Sequence, residues 1–373
     1  MNAVDPALAE PLTEPQGGAA SERAMRKEAR RERLFAGINK ADFYLNILGL
    51  GWLTPLLQLA AGDQVKPQLR ALWRGLAVPV LGLVIFFAAW AWLAPQVKTS
   101  LGAIPGPGQV WTQAVNLYDD HVAERRKEAA FYVRQDKRNA RYAKAGQTDR
   151  IKHRSYTGKP TYLDQIVTSL LTVAMGFLIA TLVAVPLGIL CGMMATVNAA
   201  FNPLIQIFKP VSPLAWLPLV TMIVSAVYTT NDGLFAKSFL VSAITVTLCS
   251  LWPTLINTAH GVASIDKDLM NVGRVIQLSW HKKVVKLVLP SALPLIFTGL
   301  RLSLGVGWMV LIAAEMLAQN PGLGKFVWDE FQNGSSSSLA KIMVAVLTIG
   351  LIGFVLDRVM LALQAMFTYS ATR

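Results

Sequence analysis

Apolar and polar residues alternate along this chain in long blocks. Leu, Val, Ile, Ala and Phe dominate 76–94, 165–193, 212–229, 236–257, 291–318 and 340–364, with few charges in each. A helix needs about 20 such residues to cross a bilayer. The pattern predicts an all-α integral membrane protein with six transmembrane helices. "ADFYLNILGLGWLTPLLQLAA" (41–61) is also apolar, but Gly and Pro interrupt it. It reads as part of an amphipathic or interfacial region over 41–75, with a span as the lesser alternative. "NAAFNPLIQIFKPVSPLAW" (198–216) carries three prolines. Proline removes a helical hydrogen bond and clashes with the preceding turn. This stretch is therefore a bent entry to the next span and not a seventh crossing.

The polar blocks set the expected topology. Residues 1–40 read as a disordered and basic cytoplasmic tail. Their first part has no basic start followed by an apolar core, so no signal peptide is expected. "RAMRKEARRER" (23–33) holds five Arg and one Lys, the mark of a cytoplasmic flank. With the N-terminus inside, 76–94 is the first span. Residues 95–163 then form a basic extracytoplasmic loop with 13 Lys and Arg, within which "DDHVAERRKEAAFYVRQDKRNARYAKAG" (119–146) reads as a charged helical stretch. Loops of more than about 60 residues follow the positive-inside rule poorly, so the loop's charge does not reverse the topology. Residues 164–368 form a five-helix core, with the C-terminus inside. "NPGLGKFVWDEFQNGSSSSLAK" (320–341) falls outside.

Composition agrees and narrows the chemistry. Of 373 residues, 53% are hydrophobic and 15% charged, against roughly 25% charged in ordinary soluble domains. The net charge of +13 would suggest nucleic acid in a soluble protein. Here the basic residues flank spans and face membrane lipid or the cytoplasm, and no nucleic-acid partner is expected. Cys191 and Cys249 lie inside apolar runs and read as small buried hydrophobes. The four histidines show no metal spacing, and no nucleophile–base set stands out. No phosphate-binding G-x-x-x-x-G-K-[ST] loop occurs. The chain reads as non-catalytic, with no cofactor and no metal.

One polar segment breaks the membrane pattern: "IDKDLMNVGRVIQLSWHKKVVKLVLP", residues 265–290, within a hairpin spanning 264–290. Asp266 and Asp268 favour a helix start. Leu269, Val272, Gly273 and Ile276 recur at helical spacing. "QLS" makes a turn, and Ser279 is placed to cap a second helix. Trp280, Val284, Leu287 and Val288 form its apolar face, with Lys282, Lys283 and Lys286 opposite. Pro290 is expected to stop it. Three readings compete. A DNA-binding helix pair is disfavoured, because spans tether both ends. An interfacial hairpin with lysines among headgroups is a structural reading. Docking on a cytoplasmic partner is the functional one.

At this point a family resemblance emerges. The hairpin is similar to the coupling loop of ABC importer permeases, which has Glu-Ala-Ala, three residues, Gly, a fixed gap and Leu-Pro. Asn271-Val272-Gly273 takes the Glu-Ala-Ala place, Gln277 the Gly place and Leu289-Pro290 the Leu-Pro place. The Glu and the turn Gly are absent, and the gap is kept. "LPSALPLIFTGLRLSLGVGWMVLIAAEML" (289–317), "VAVPLGILCGM" (183–193), "PLAWLPLV" (213–220) and "IPGPGQVW" (104–111) resemble the nitrate/sulfonate/taurine branch, most closely its nitrate-type members. The resemblance implies a type I importer permease-like (MetI-like) core in a bacterial inner membrane. It implies a homodimer, separate cytoplasmic ATP-binding subunits and a periplasmic or lipid-anchored substrate-binding protein. It also implies nitrate as cargo, with a sulfonate such as taurine as the alternative. Asn271, Val272, Gly273, Arg274, Gln277, Ser279, Lys282, Lys283, Leu289 and Pro290 would then couple to the ATPase. A stand-alone secondary transporter or channel is the alternative from another class, but no inverted repeat is evident.

Charges inside spans are costly and mark candidate functional residues. Arg301 and Glu315 are 14 residues apart, about 21 Å along a helix, so they cannot pair. Arg301 reads either as a structural charge or as a cation helping an anion through a pore. Glu315 reads as structural or gating, because a carboxylate lining the path would repel an anion. Asp357 and Arg358 read as structural. Trp216, with Pro213 and Pro218, forms a bent aromatic segment that serves packing or gating.

Overall fold

The computed structural model describes residues 34–39, 41–42, 45, 49–62, 64–99, 102–228, 235–335 and 337–371. Of the expected 1–40 tail only 34–39 fall among the described residues, and they are helical. The chain divides into two compact units, Met1–Leu83 and Val84–Arg373.

In the first unit, α1 (Leu53–Ala60) and α2 (Val65–Leu72) are short helices separated by a turn with Gly62 at φ +83°. A π turn, Trp73–Ala77, joins α2 to α3 (Val78–Leu93). The whole helix runs Val65–Gln96. It therefore begins eleven residues before the expected span at 76. The apolar pattern reports only the part suited to lipid. The first turns carry Lys66, Arg70 and Arg74, which suit a membrane surface.

The second unit begins within α3, at Val84, and holds the rest. After a two-strand turn, β1 (Lys98–Thr99) against β2 (Gly102–Ala103), the expected loop is mostly one 38-residue helix, α4 (Pro107–Lys144). Next come α5 (Tyr162–Met193), α6 (Ala195–Phe208), α7 (Pro213–Val227) and α8 (Lys237–Ala263). α9 (Lys267–Val275) and α10 (Trp280–Lys283) form the hairpin. α11 (Leu289–Ala318), α12 (Leu323–Asn333) and α13 (Ser338–Ala371) complete the chain. Thr161 and Asp164 start α5 with a reciprocal cap: Asp164 Oδ2 accepts from Thr161 N at 2.9 Å, and Thr161 Oγ1 accepts from Asp164 N at 3.4 Å.

Among the described residues, five helices are long and apolar enough to cross a membrane, or six if the bent pair α6–α7 is one span. The expected 212–229 span corresponds to α7, the second limb of that bent pair. α7 has 15 residues and meets α6 at 102°. Pro210 and Pro213 cannot continue α6, and Ser212 Oγ accepts from Leu214 N to start α7 afresh.

The bundle packs through small residues. A Cβ on Gly188 would lie 2.6 Å from Thr258 Cβ, and one on Gly192 2.5 Å from Val262 Cβ. These glycines let α5 and α8 touch backbone to backbone, as membrane helices do without a hydrophobic drive between them. Paired positions rise together along α5 and α8, so the two are parallel. α11 runs antiparallel to α8, with Gly299 against Thr254 and Gly261 against Ala292. α13 runs antiparallel to α11, with Trp308 Nε1 donating to Ile349 O at 3.0 Å. Val173, Val246, Leu304, Trp308, Leu311 and Phe326 lie in the buried core. Leu171, Leu178 and Leu182 of α5 face outward. An apolar exterior of this kind is at no disadvantage in lipid. The span Trp280–Ala318 has the hairpin at its start and α12 after its end. The hairpin and α12 therefore lie at opposite ends of the bundle.

Candidate functional site

The hairpin begins as its residues dictate. Asp266 caps α9, its Oδ1 accepting from Asp268 N at 2.9 Å. α9 ends in a Schellman arrangement: Leu278 N donates to Gly273 O at 3.1 Å and Gln277 N donates to Arg274 O at 3.0 Å. Gln277 occupies the left-handed position with φ +48°. Glycine takes that conformation at no steric cost, and other residues pay about 1–2 kcal/mol. The missing turn glycine noted in the sequence thus falls at a place where the backbone favours one.

Gly273 is buried, and a Cβ there would meet Leu287 Cδ1 at 3.3 Å. Leu287 and Val288 pack with Ile189, Val262, Ala292 and Ile296. Val284 packs beside them, half-buried, while most other apolar residues of the hairpin point away from the bundle. Leu269, Val272, Val275, Ile276 and Trp280 are all exposed, Val275 at 80%. Asn271, Arg274 and Lys282 are exposed beside them and Lys283 is half-buried. Arg274 Nη1 reaches Asn271 Oδ1 at 3.5 Å. Ser279 stands at the N-cap of α10, but its side chain makes no capping bond.

The expected stop at Pro290 does not occur. The helix runs unbroken from Trp280 to Ala318. A π turn, Val284–Val288, immediately precedes Leu289-Pro290. Proline lacks the N–H that would bond four residues back, and its ring crowds that carbonyl. A wider π turn there relieves both problems. Leu289 and Pro290 consequently join hairpin and span as one rod.

The intramembrane charges each have protein partners. Arg301 Nη2 donates to Asp357 Oδ2 at 2.9 Å, and Arg301 Nε donates to Asp357 Oδ1. The pair is 42% and 35% exposed and borders a cleft of about 230 Å³ with Leu304, Trp308 and Gly353. Arg358 lies over the Phe354 ring, 5.0 Å from its centre. Glu315 is fully buried. Ser169 Oγ lies 2.9 and 2.8 Å from its two oxygens, and Gly324 N donates to Oε2 at 3.0 Å. Leu323 N in turn donates to Ser169 Oγ at 2.9 Å. Glu315 thereby holds the start of α12 against α5 and α11. Trp216 contacts Phe208 at a ring distance of 5.7 Å, beside Trp252. Pro213 starts α7 and Pro218 lies within it.

The structure therefore brings Gly273, Gln277 and Leu289-Pro290 into one hairpin and leaves Arg301, Glu315 and Trp216 in separate places. Sequence reading missed Ser169, Gly324 and the Arg301–Asp357 pairing. "NPGLG" after Glu315 was the one local signal for the second.

Comparison with known proteins follows the same lines. Residues 184–368 match the family described as binding-protein-dependent transport system inner membrane component. The bicarbonate transport system permease protein CmpB of Synechococcus elongatus is 33% identical over 299 residues, 78% of this chain and 91% of CmpB. The nitrate import permease protein NrtB of Leptolyngbya laminosa is 37% identical over 193 residues, 52% of this chain and 64% of NrtB. The putative aliphatic sulfonates transport permease protein SsuC of Bacillus subtilis is 29% identical over 189 residues, 51% of this chain and 63% of SsuC.

Proposed function

The chain belongs to the family of binding-protein-dependent transport system inner membrane components, and from that premise we propose that it forms the pore for a small oxyanion, nitrate first. It is an ABC importer permease subunit, multi-pass in the inner membrane. In this reading it pairs with a second copy, two cytoplasmic ATP-binding subunits and a substrate-binding protein outside. The exposed apolar stripe Leu269, Val272, Val275, Ile276 and Trp280, on a hairpin whose second helix runs straight into a span, carries the proposal. An apolar face held away from the bundle needs a cover. The basic residues Arg274, Lys282 and Lys283 around it suit an acidic rim. A partner that closes on the hairpin would move α11 with it, because the π turn keeps the two continuous.

The cargo reading rests on resemblance. NrtB is named for nitrate, and the CmpB match, over 91% of that protein, favours bicarbonate as a second reading. Both are small planar oxyanions. SsuC, named for aliphatic sulfonates, matches less well. Labelled nitrate uptake is measured in cells lacking the gene and in cells with it restored, with excess bicarbonate or taurine as competitors. Uptake that returns and resists both competitors supports nitrate. Uptake that bicarbonate suppresses supports the second reading. Nitrate uptake that never depends on the gene rules nitrate out.

A further inference from the structure

α4 is much longer than the bundle requires. Its 38 residues span about 57 Å. Only its first part joins the bundle, through buried Val110 and Leu117. Asp120, Glu124 and Lys127 still border a cavity of about 450 Å³ shared with Glu330 and Lys341. From Phe131 on, its partners are residues of its own return segment. Gln135 Nε2 donates to Arg154 O at 3.2 Å, and Arg154 N donates to Gln135 Oε1 at 2.8 Å. Asn139 Nδ2 donates to Lys152 O at 3.1 Å. Phe131 packs on Tyr156 at a ring distance of 5.5 Å. The part beyond Lys127 is 17 residues, about 25 Å of rod, braced by a strap along one side.

Charge is distributed unevenly along this arm. Residues 107–133 carry Arg125, Arg126 and Lys127 against Asp119, Asp120, Glu124 and Glu128, which is 3 − 4 = −1. Arg125 is paired with Glu128 and Asp164, and Lys127 with Glu124. Residues 134–154 carry eight Lys and Arg against Asp136 and Asp149, which is 8 − 2 = +6. All eight cations are exposed, and among the described residues none makes an ion pair. Arg138, Arg150, Lys152 and Arg154 surround one cleft of about 350 Å³ with Tyr142 and Asp149. Like charges gathered this closely repel. Buried amides of Gln135 and Asn139 nevertheless clamp the strap backbone that brings them together. Fixing them in place makes sense when an anionic surface arrives to neutralise them.

We infer that the tip of this arm, centred on Arg138, Arg150, Lys152 and Arg154, is a docking surface for an acidic face of the separate substrate-binding protein. The inference rests on the permease reading above. The arm lies on the α12 side of the bundle, at the end opposite the hairpin, where a binding protein must deliver its cargo. It lies outside residues 184–368, so the family match assigns it nothing. A protein partner fits better than the lipid surface. Membrane-lying helices present a row of Trp, Phe or Leu beside their cations, and the stretch "RQDKRNARYAK" (134–144) offers only Tyr142. Steering by a charged arm would raise the rate of encounter and make it depend on salt.

The test uses the full complex with its ATP-binding subunits, in nanodiscs of phosphatidylcholine alone or with phosphatidylglycerol. The probe is the purified binding protein that stimulates its ATP hydrolysis. The concentration giving half-maximal stimulation is compared for wild type, Arg150→Glu with Arg154→Glu, and Arg150→Lys with Arg154→Lys. In phosphatidylcholine discs the Glu variant should need about tenfold more binding protein, with the maximal rate kept and the salt dependence flattened. The Lys variant should behave as wild type. An unchanged half-maximal concentration overturns the inference. So does a loss seen only with phosphatidylglycerol, which would make the arm a lipid contact. A lowered maximal rate at unchanged half-maximal concentration would make it a structural strut. A wild-type complex that no binding protein stimulates overturns the permease reading itself, and the docking with it.

Discussion

Ser169 and Glu315, 146 residues apart in the chain, meet inside the bundle, with the serine hydroxyl 2.9 and 2.8 Å from the two carboxylate oxygens. The same carboxylate accepts from Gly324 N. Glu315→Ala leaves both donors buried and unpaired, at about 1–3 kcal/mol per group. A loss of about 2–4 kcal/mol in the unfolding free energy of the purified protein is expected, with Glu315→Gln losing less. Denaturant titration in detergent measures it.

Gly324 gives a sharper steric test of the same junction. A Cβ there would lie 2.1 Å from Ile312 O, whereas one on Gly305 would meet nothing. Gly324→Ala should lower the melting temperature strongly or abolish folded yield. Gly305→Ala should be nearly neutral and, by the helix propensity of Ala, slightly stabilising. Similar effects from both would refute the packing described at α12.

The turn of the hairpin tolerates an unfavourable residue. Gln277→Gly should relieve about 1 kcal/mol at φ +48°. The expected readout is slower amide exchange at Leu278 and at the substituted residue. Gln277→Val should have the opposite effect, because a β-branched side chain suits this conformation least.

The strap of the arm responds to pH with a defined sign. The Tyr156 hydroxyl donates to Glu124 Oε1 at 2.6 Å. That bond, with help from Lys127, holds the Glu124 carboxyl below its ordinary 4.5. It also raises the Tyr156 hydroxyl above its ordinary 10.0, with burial adding to the effect. A carboxylate lowered on folding stabilises above its unfolded value and loses that contribution as pH falls through the folded one. The raised hydroxyl stabilises below its unfolded value and loses that contribution as pH rises through the folded one. Protection of the strap amides should therefore be flat from about pH 5 to about pH 9 and fall on both sides. Tyr156→Phe should remove the alkaline limb and weaken the acidic one, where Lys127 still acts on Glu124, as hydrogen exchange would show.

What the sequence revealed and what it hid divide by range. The apolar runs at 165–193, 236–257, 291–318 and 340–364 announce spans because a bilayer imposes length and polarity on each segment separately. The helix Lys267–Val275 and its turn were legible for the same local reason, from Asp266 and the spacing of Val272 and Ile276. Arg301–Asp357 and Ser169–Glu315 join residues on different helices, and no periodicity reports such pairs. Pro290 misled because its cost is local, while the π turn that absorbs it lies in the preceding residues. α4 was seen as charged and helical, but its clamp by Gln135 and Asn139 depends on a strap that carries no pattern of its own.

The central claim is that the hairpin 265–290 transmits a partner's ATP hydrolysis to the spans. The most direct measurement is ATP hydrolysis and nitrate uptake by the complex reconstituted with Val272→Glu or Ile276→Glu, beside charge reversal at Arg274. These side chains are exposed, so the permease should keep its melting temperature. The predicted result is loss of bound ATP-binding subunits, or of transport-coupled hydrolysis, by about tenfold or more, as burying an unpaired charge in an interface requires. Full assembly with unchanged coupled transport in all three variants would contradict it.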